Sequence, residues 1–152
     1  MHKEMKLRSA EVYSRKNAYF INPLVGSAGG EPCLFSPPVT VLPDGASPAR
    51  IGEAVQAALA VSHSNESWPT DWKALIAPLL SAAGAKDWAG FAKGTRALRV
   101  DELGGRVVCL PTTSKKERNA FTPIGQEFTV DANLSDAVKL GEAVQLALSR
   151  CE

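Results

Sequence analysis

Residues 39–62 read VTVLPDGASPARIGEAVQAALAVS, and residues 127–151 read EFTVDANLSDAVKLGEAVQLALSRC. The pentapeptide Gly52-Glu53-Ala54-Val55-Gln56 returns unchanged as Gly141-Glu142-Ala143-Val144-Gln145, and the match spreads outward from both copies to within one residue. Each copy opens on strand formers, passes through a polar turn and enters a segment with helical periodicity. In the first copy the Pro37-Pro38 pair confines the strand to Val39–Leu42. Ser47 is a good N-cap, and Pro48 takes the first helical position, where its missing N–H is not needed. Ile51, Val55, Ala58, Leu59 and Ser62 then recur at three- and four-residue spacing, a stripe that faces a core. In the second copy a strand at Glu127–Val130 leads to Asp136 in the place of Ser47, and Leu140, Val144, Ala147 and Leu148 repeat the stripe. Gly52 and Gly141 lie inside these helices, where glycine costs about 1 kcal/mol relative to alanine, so their recurrence asks for a packing reason. Close approach of each helix to the sheet is the simplest one.

Working outward, Val12, Tyr13, Tyr19, Phe20 and Ile21 flank a polar turn at Ser14–Asn17 and suggest a short hairpin or a bent strand. Gly26, Gly29 and Gly30 mark a loop. Between the copies, Pro69-Thr70-Asp71 opens a third helix with Trp72, Leu75, Ile76, Leu79 and Leu80, ended by Gly84. Pro78 should kink or break it. Asp87–Phe91 looks like one helical turn, and Arg96–Asp101 and Arg106–Leu110 are strands joined at Gly104-Gly105. The expected fold class is therefore α+β: a mixed, largely antiparallel sheet of about five or six strands with helices packed on it. A single domain over residues 1–152 is expected, with repeat copies at about 39–62 and 127–151. Strand order stays open, because two strand–helix units could also pair in parallel.

Composition narrows the function classes. A hydrophobic fraction of 45%, a charged fraction of 22% and a net charge of +1 are those of an ordinary globular protein, without wholesale attraction to nucleic acid or anionic membrane. Cys33, Cys109 and Cys151 are widely separated, without disulfide-framework or metal-ligand spacing, and suit a reducing compartment. No apolar h-region follows the basic residues of the first sixteen, and no run of 18 apolar residues occurs, so a cytoplasmic location is expected.

No stretch carries a catalytic signature. His2 and His63 are the only histidines, and His63 lies in a polar loop whose Ser62, Ser64, Glu66 and Asp71 are ordinary loop residues. HExxH, GxSxG, CxxC and Walker patterns are absent. The Gly26–Gly30 loop is followed by Pro32 and a strand rather than a Lys-Ser or Lys-Thr helix start, so it reads as a flexible loop. Lys115, Lys116 and Arg118 are interrupted by Glu117 and read as a solvated loop. Trp68, Trp72, Trp88 and Phe91 read as core or half-buried packing around a short helix. No enzyme, cofactor or metal is expected.

The words RSAEVYSRKNAYFINPLVGSAGG, VLPDGASPARIGEAVQAALAVS and HSNESWPTDWKALIAPLLSAAGAKDWAGFAKGTRALRV together resemble the immunity proteins of bacterial contact-dependent growth inhibition systems, over nearly the whole chain. The resemblance rests on structural words: the opening strand residues, the Gly-rich bend, the paired Gly-Glu-Ala-Val helices, the Pro69–Trp72 helix start and the Trp88 and Phe91 turn. It implies a stoichiometric inhibitor that binds the C-terminal toxin domain of a cognate effector, often a nuclease acting on tRNA, and occludes its active site. Against a phosphate-attracting face, acidic groups would be the natural counterparts, which makes Glu66, Asp71, Asp101, Glu102 and Glu117 the candidate toxin-binding residues. The alternative is a small self-associating structural or regulatory domain without a toxin partner. Neither reading involves nucleic acid or membrane as a partner, and both leave the oligomeric state open.

Overall fold

A computed structural model describes residues 6–27, 30–64, 67 and 71–152. His2, Gly29, Glu66, Trp68, Pro69 and Thr70 lie outside the described residues. Strand β1 (Arg8–Arg15) turns into β2 (Ala18–Val25), followed by β3 (Leu34–Phe35), β4 (Thr40–Pro43) and helix α1 (Pro48–Val61). Helices α2 (Trp72–Ala83) and α3 (Trp88–Ala92) come next. Then β5 (Arg96–Leu103), β6 (Arg106–Thr113), β7 (Thr122–Pro123), β8 (Val130–Asn133) and α4 (Ala137–Ser149) complete the fold. The class is α+β as expected, with six strands of four or more residues and two two-residue strands in one sheet.

The sheet order is β3-β2-β1-β5-β6-β7, with β4 also on β2 and β8 also on β6. Every strand pairing is antiparallel, which settles the order that the repeat left open: the repeat strands β4 and β8 sit at opposite ends and never meet. The expected strand at Glu127–Val130 begins only at Val130, because Gln126–Phe128 form a turn of 3₁₀ helix. Helix α2 runs through Pro78 without a break. Both Pro78 and Ala74, whose carbonyl loses its partner, face solvent, where water can satisfy the freed group.

The duplication is wider than the two segments that announce it. Arg96 follows Arg8 by 88 residues, Arg106 follows Ala18 by 88 and Thr122 follows Leu34 by 88, so both hairpins and both short strands recur before the repeated strand–helix units. The hairpin turns match as well. Lys16 and Asn17 have φ of 46° and 64°, and Gly104 and Gly105 have φ of 61° and 87°, two positive-φ residues in a row, which a two-residue connection between twisted strands requires. Chain sequence obscures this because one turn uses Lys-Asn and the other Gly-Gly.

A local two-fold axis relates the halves. The β1–β5 register runs from Arg8 opposite Glu102 to Ser14 opposite Arg96, with Glu11 opposite Arg99 at its centre. Arg99 is itself the residue 88 beyond Glu11. On one face of the sheet, α1 and α4 cross at their first turns. A Cβ on Gly52 would collide with the carbonyl of Ala137, 2.6 Å from its carbon, and a Cβ on Gly141 would collide with the carbonyl of Pro48, 2.5 Å from its carbon. The glycines therefore serve helix-to-helix approach, not the helix-to-sheet approach expected from their spacing. Helices α1 and α4 bury Ile51, Val55, Leu59, Leu140, Val144 and Ala147 against Ala10, Val12, Ile21, Leu98, Val100 and Val107 of the sheet.

Among the described residues, helices α2 and α3 have no counterpart in the other half. They cover part of the opposite sheet face, where Leu79 and Phe91 pack with Tyr13, Phe20, Phe35 and Ala97. The Phe91 and Tyr13 rings meet edge to face at 5.1 Å, a geometry that favours their quadrupoles. Arg15, buried in the sheet, donates to the carbonyls of Phe91 and Gly90, each at 3.2 Å, and its guanidinium stands 5.8 Å from the Phe91 ring centroid.

Candidate interaction surface

Of the acidic residues singled out from sequence, the four described ones, Asp71, Asp101, Glu102 and Glu117, lie on different elements or faces. Asp71 is the N-cap of α2, its Oδ1 accepting from the Lys73 and Ala74 amides at 3.1 Å each. Asp101 accepts from Arg99 Nε at 2.9 Å and from Ser9 Oγ at 2.7 Å. Arg99 reaches on to the Pro32 carbonyl at 2.8 Å, so this network ties the loop after β2 to the centre of the sheet. Glu102, only 6% exposed, accepts from the Gly105 amide at 2.8 Å and braces the hairpin turn. Asp101 and Glu102 are consecutive on β5 and so point to opposite faces of the sheet. Glu117 is exposed in the loop after β6. The structure thus assigns internal work to Asp71, Asp101 and Glu102 and leaves Glu117 open to solvent.

Among the described residues, no group of three or more His, Cys, Asp and Glu could hold a metal. Burial pushes the Cys109 thiol up to about 12, with the Asp131 charge adding to the effect, and burial likewise raises Cys151, so neither supplies a thiolate near neutrality. The Glu11 carboxyl has a raised proton affinity. Burial lifts it to about 7 despite the nearby Arg99 charge, which pulls the other way. Beside it, directly opposite on β2, Asn22 is fully buried with its Oδ1 unpartnered.

What the sequence reading missed is a surface. Helix α2, sequence WKALIAPLLSAA, buries only Leu79 fully. Trp72 is 53% exposed rather than packed inside, whereas Phe91 is fully buried and Trp88 half-buried. Along the outer side of α2, where it meets α3, runs a groove of about 610 Å³ whose floor includes Ile76, Ala77, Leu80 and Trp88, with Lys73 and Lys86 at its rim. Trp88 Nε1 donates to the Asn119 carbonyl at 2.7 Å, which holds the charged 114–119 loop against this same side. The signal was present in the composition of α2: a helix apolar around most of its circumference is either enclosed or awaiting cover.

The protein-family model described as CDI immunity protein matches residues 8–151, which includes every strand and helix. Two solved structures share the fold. One, titled a protein of unknown function from Neisseria meningitidis, superposes with a TM-score of 0.78 at 19% identity, covering 100% of this chain and 99% of that one. The other belongs to a toxin and immunity complex from Yersinia pseudotuberculosis, with a TM-score of 0.78 at 16% identity, covering 98% of this chain and 100% of that one. No curated protein matches the chain.

Proposed function

Since the chain belongs to the CDI immunity protein family, we propose that it binds the C-terminal toxin domain of a cognate contact-dependent growth inhibition effector and neutralises it by covering its active site. The family match across residues 8–151 carries this reading. The surface agrees with it: a groove of about 610 Å³ with an apolar floor lies between α2 and α3. Such a surface suits stoichiometric docking rather than turnover. An interface of about 1,200 to 2,000 Å² with a few buried anchors supplies the affinity, and charge at its edge supplies rate and register.

In this reading the toxin is a nuclease, and acidic groups of the inhibitor meet its phosphate-attracting face. Glu117 and the outer oxygen of Asp71 are better placed for that than Asp101 and Glu102, whose carboxylates are held within the fold. The test is co-purification of the tagged chain with the C-terminal domain of the exported protein encoded immediately upstream, followed by production of that domain inside cells. A one-to-one complex and restored growth are expected. No complex and no rescue would overturn the reading in favour of a self-associating domain.

A further inference from the structure

We infer that the toxin domain docks in the α2–α3 groove, inserting an apolar side chain between Ile76, Leu80 and Trp88 while its carboxylates meet Lys73 and Lys86. This rests on the reading that the chain neutralises a toxin.

Three observations converge on the groove. First, among the described residues α2 and α3 are α-helices without a counterpart in the internal duplication. Helices α1 and α4 and the strands beneath them form two matching halves around a shared core, so the unmatched pair is free to specialise. Second, the groove has the anatomy of an interface, with an apolar centre and a charged rim. Trp72 stands 53% exposed on the same helix as Ile76 and Leu80, and large aromatic side chains near an apolar pocket are the usual anchors of tight complexes. Third, the charges at the groove are unequal in number, two lysines to one carboxylate. One oxygen of that carboxylate, Asp87, accepts from the Gly90 amide at 2.8 Å. Lys73 and Lys86 form no ion pair with any described residue, so their ammonium groups remain to be matched. The 114–119 loop beside Trp88 adds Lys115, Lys116 and Arg118 against Glu117.

The occupant that this surface fits is a protein segment with an apolar protrusion flanked by Asp or Glu. Such a ridge is distinct from a nuclease's phosphate-binding surface, so the groove serves as an anchor from which Asp71 and Glu117, lying outside it, reach that surface.

The test measures the affinity of the full chain for the C-terminal toxin domain encoded upstream, with two groove variants and one control. Ala77→Arg fills the groove from an exposed position, and the double variant Lys73→Glu with Lys86→Glu reverses its charge; neither touches the buried core. Lys139→Glu, on the far face in α4, is the control. More than a tenfold weakening by each groove variant, with Lys139→Glu binding like the unaltered chain and all melting profiles intact, is the expected result. If the unaltered chain binds and the groove variants bind equally well, the groove proposal is overturned while toxin neutralisation stands. If the unaltered chain fails to bind, both fall. If the chain alone forms a dimer that Ala77→Arg dissociates, a second copy occupies the groove and the proposal is overturned.

Discussion

Glu11 and Arg99 face each other where the two halves of the molecule meet. A faithful duplication would place identical residues there, and two like charges directly opposed across strands would destabilise the sheet. The pair has opposite signs, yet Arg99 spends its donors on Asp101, Ser9 and Pro32, leaving Glu11 buried with only a distant attraction. Its carboxyl is raised from 4.5 to about 7. A folded-state value above the unfolded one means the native state binds more protons between those limits, so the contribution of Glu11 to stability is fully present below about 4.5 and is lost as pH rises through 7. We expect a loss on the order of 1 to 3 kcal/mol across that window, and Glu11→Gln should flatten it and raise stability at pH 8. Urea unfolding of both proteins from pH 4.5 to 8.5 measures this; an unaltered chain insensitive to pH in that range would contradict it.

Gly52 and Gly141 make a sharper case at the same scale. Each lacks a Cβ because a backbone carbonyl of the other helix occupies that space, and backbone cannot swing aside as a side chain can. Alanine at either site should destabilise by about 2 kcal/mol or more, the reverse of the usual gain from replacing glycine in a helix. Thermal and urea unfolding decide it, and unaltered stability in Gly141→Ala would rule out the close crossing. That glycine matters here was legible in the repeated pentapeptide. The partner was not, because spacing along one helix reports which face is small and never what lies against it.

At the scale of elements, α2 and α3 are held by Leu79 and Phe91, by the half-buried Leu75, Ile76, Leu80 and Trp88 around them, and by the Arg15 bonds to the Phe91 and Gly90 carbonyls. Few fully buried side chains mean low local stability. Replacing Arg15 by Met should speed amide exchange across residues 72–92 while leaving α1 and α4 protected, which hydrogen-exchange mass spectrometry can follow. A uniform acceleration along the chain would show instead that the helices are coupled to the main core. The boundaries of α1, α2 and α4 were readable from their caps, since Ser47, Asp71 and Asp136 each accept from amides of the first turn as their chemistry demands. The exposure of Trp72 was not readable, because an aromatic on a helix looks alike whether a core or a partner covers it.

Over the whole molecule, the halves are joined twice, by the β1–β5 pairing on the axis and by the α1–α4 crossing over it. Neither half has a covered sheet edge at β1 or β5 without the other, so the two should unfold together. Native-state hydrogen exchange should give α1 and α4 amides the same opening free energy, and their exchange at clearly different levels would show independent halves. The repeat, the fold class and the places of the main helices came from local rules: periodicity, capping and turn chemistry act within a few residues, so they are written in the chain. The central strand pairing, the helix crossing and the bond from Ser9 to Asp101 join groups 82 to 94 residues apart, and only the folded chain brings them together. The carboxylates looked available because sequence lists charges without their partners. The groove went unseen because it is made of two helices and a loop, and an uncovered surface exists only once everything else has been packed.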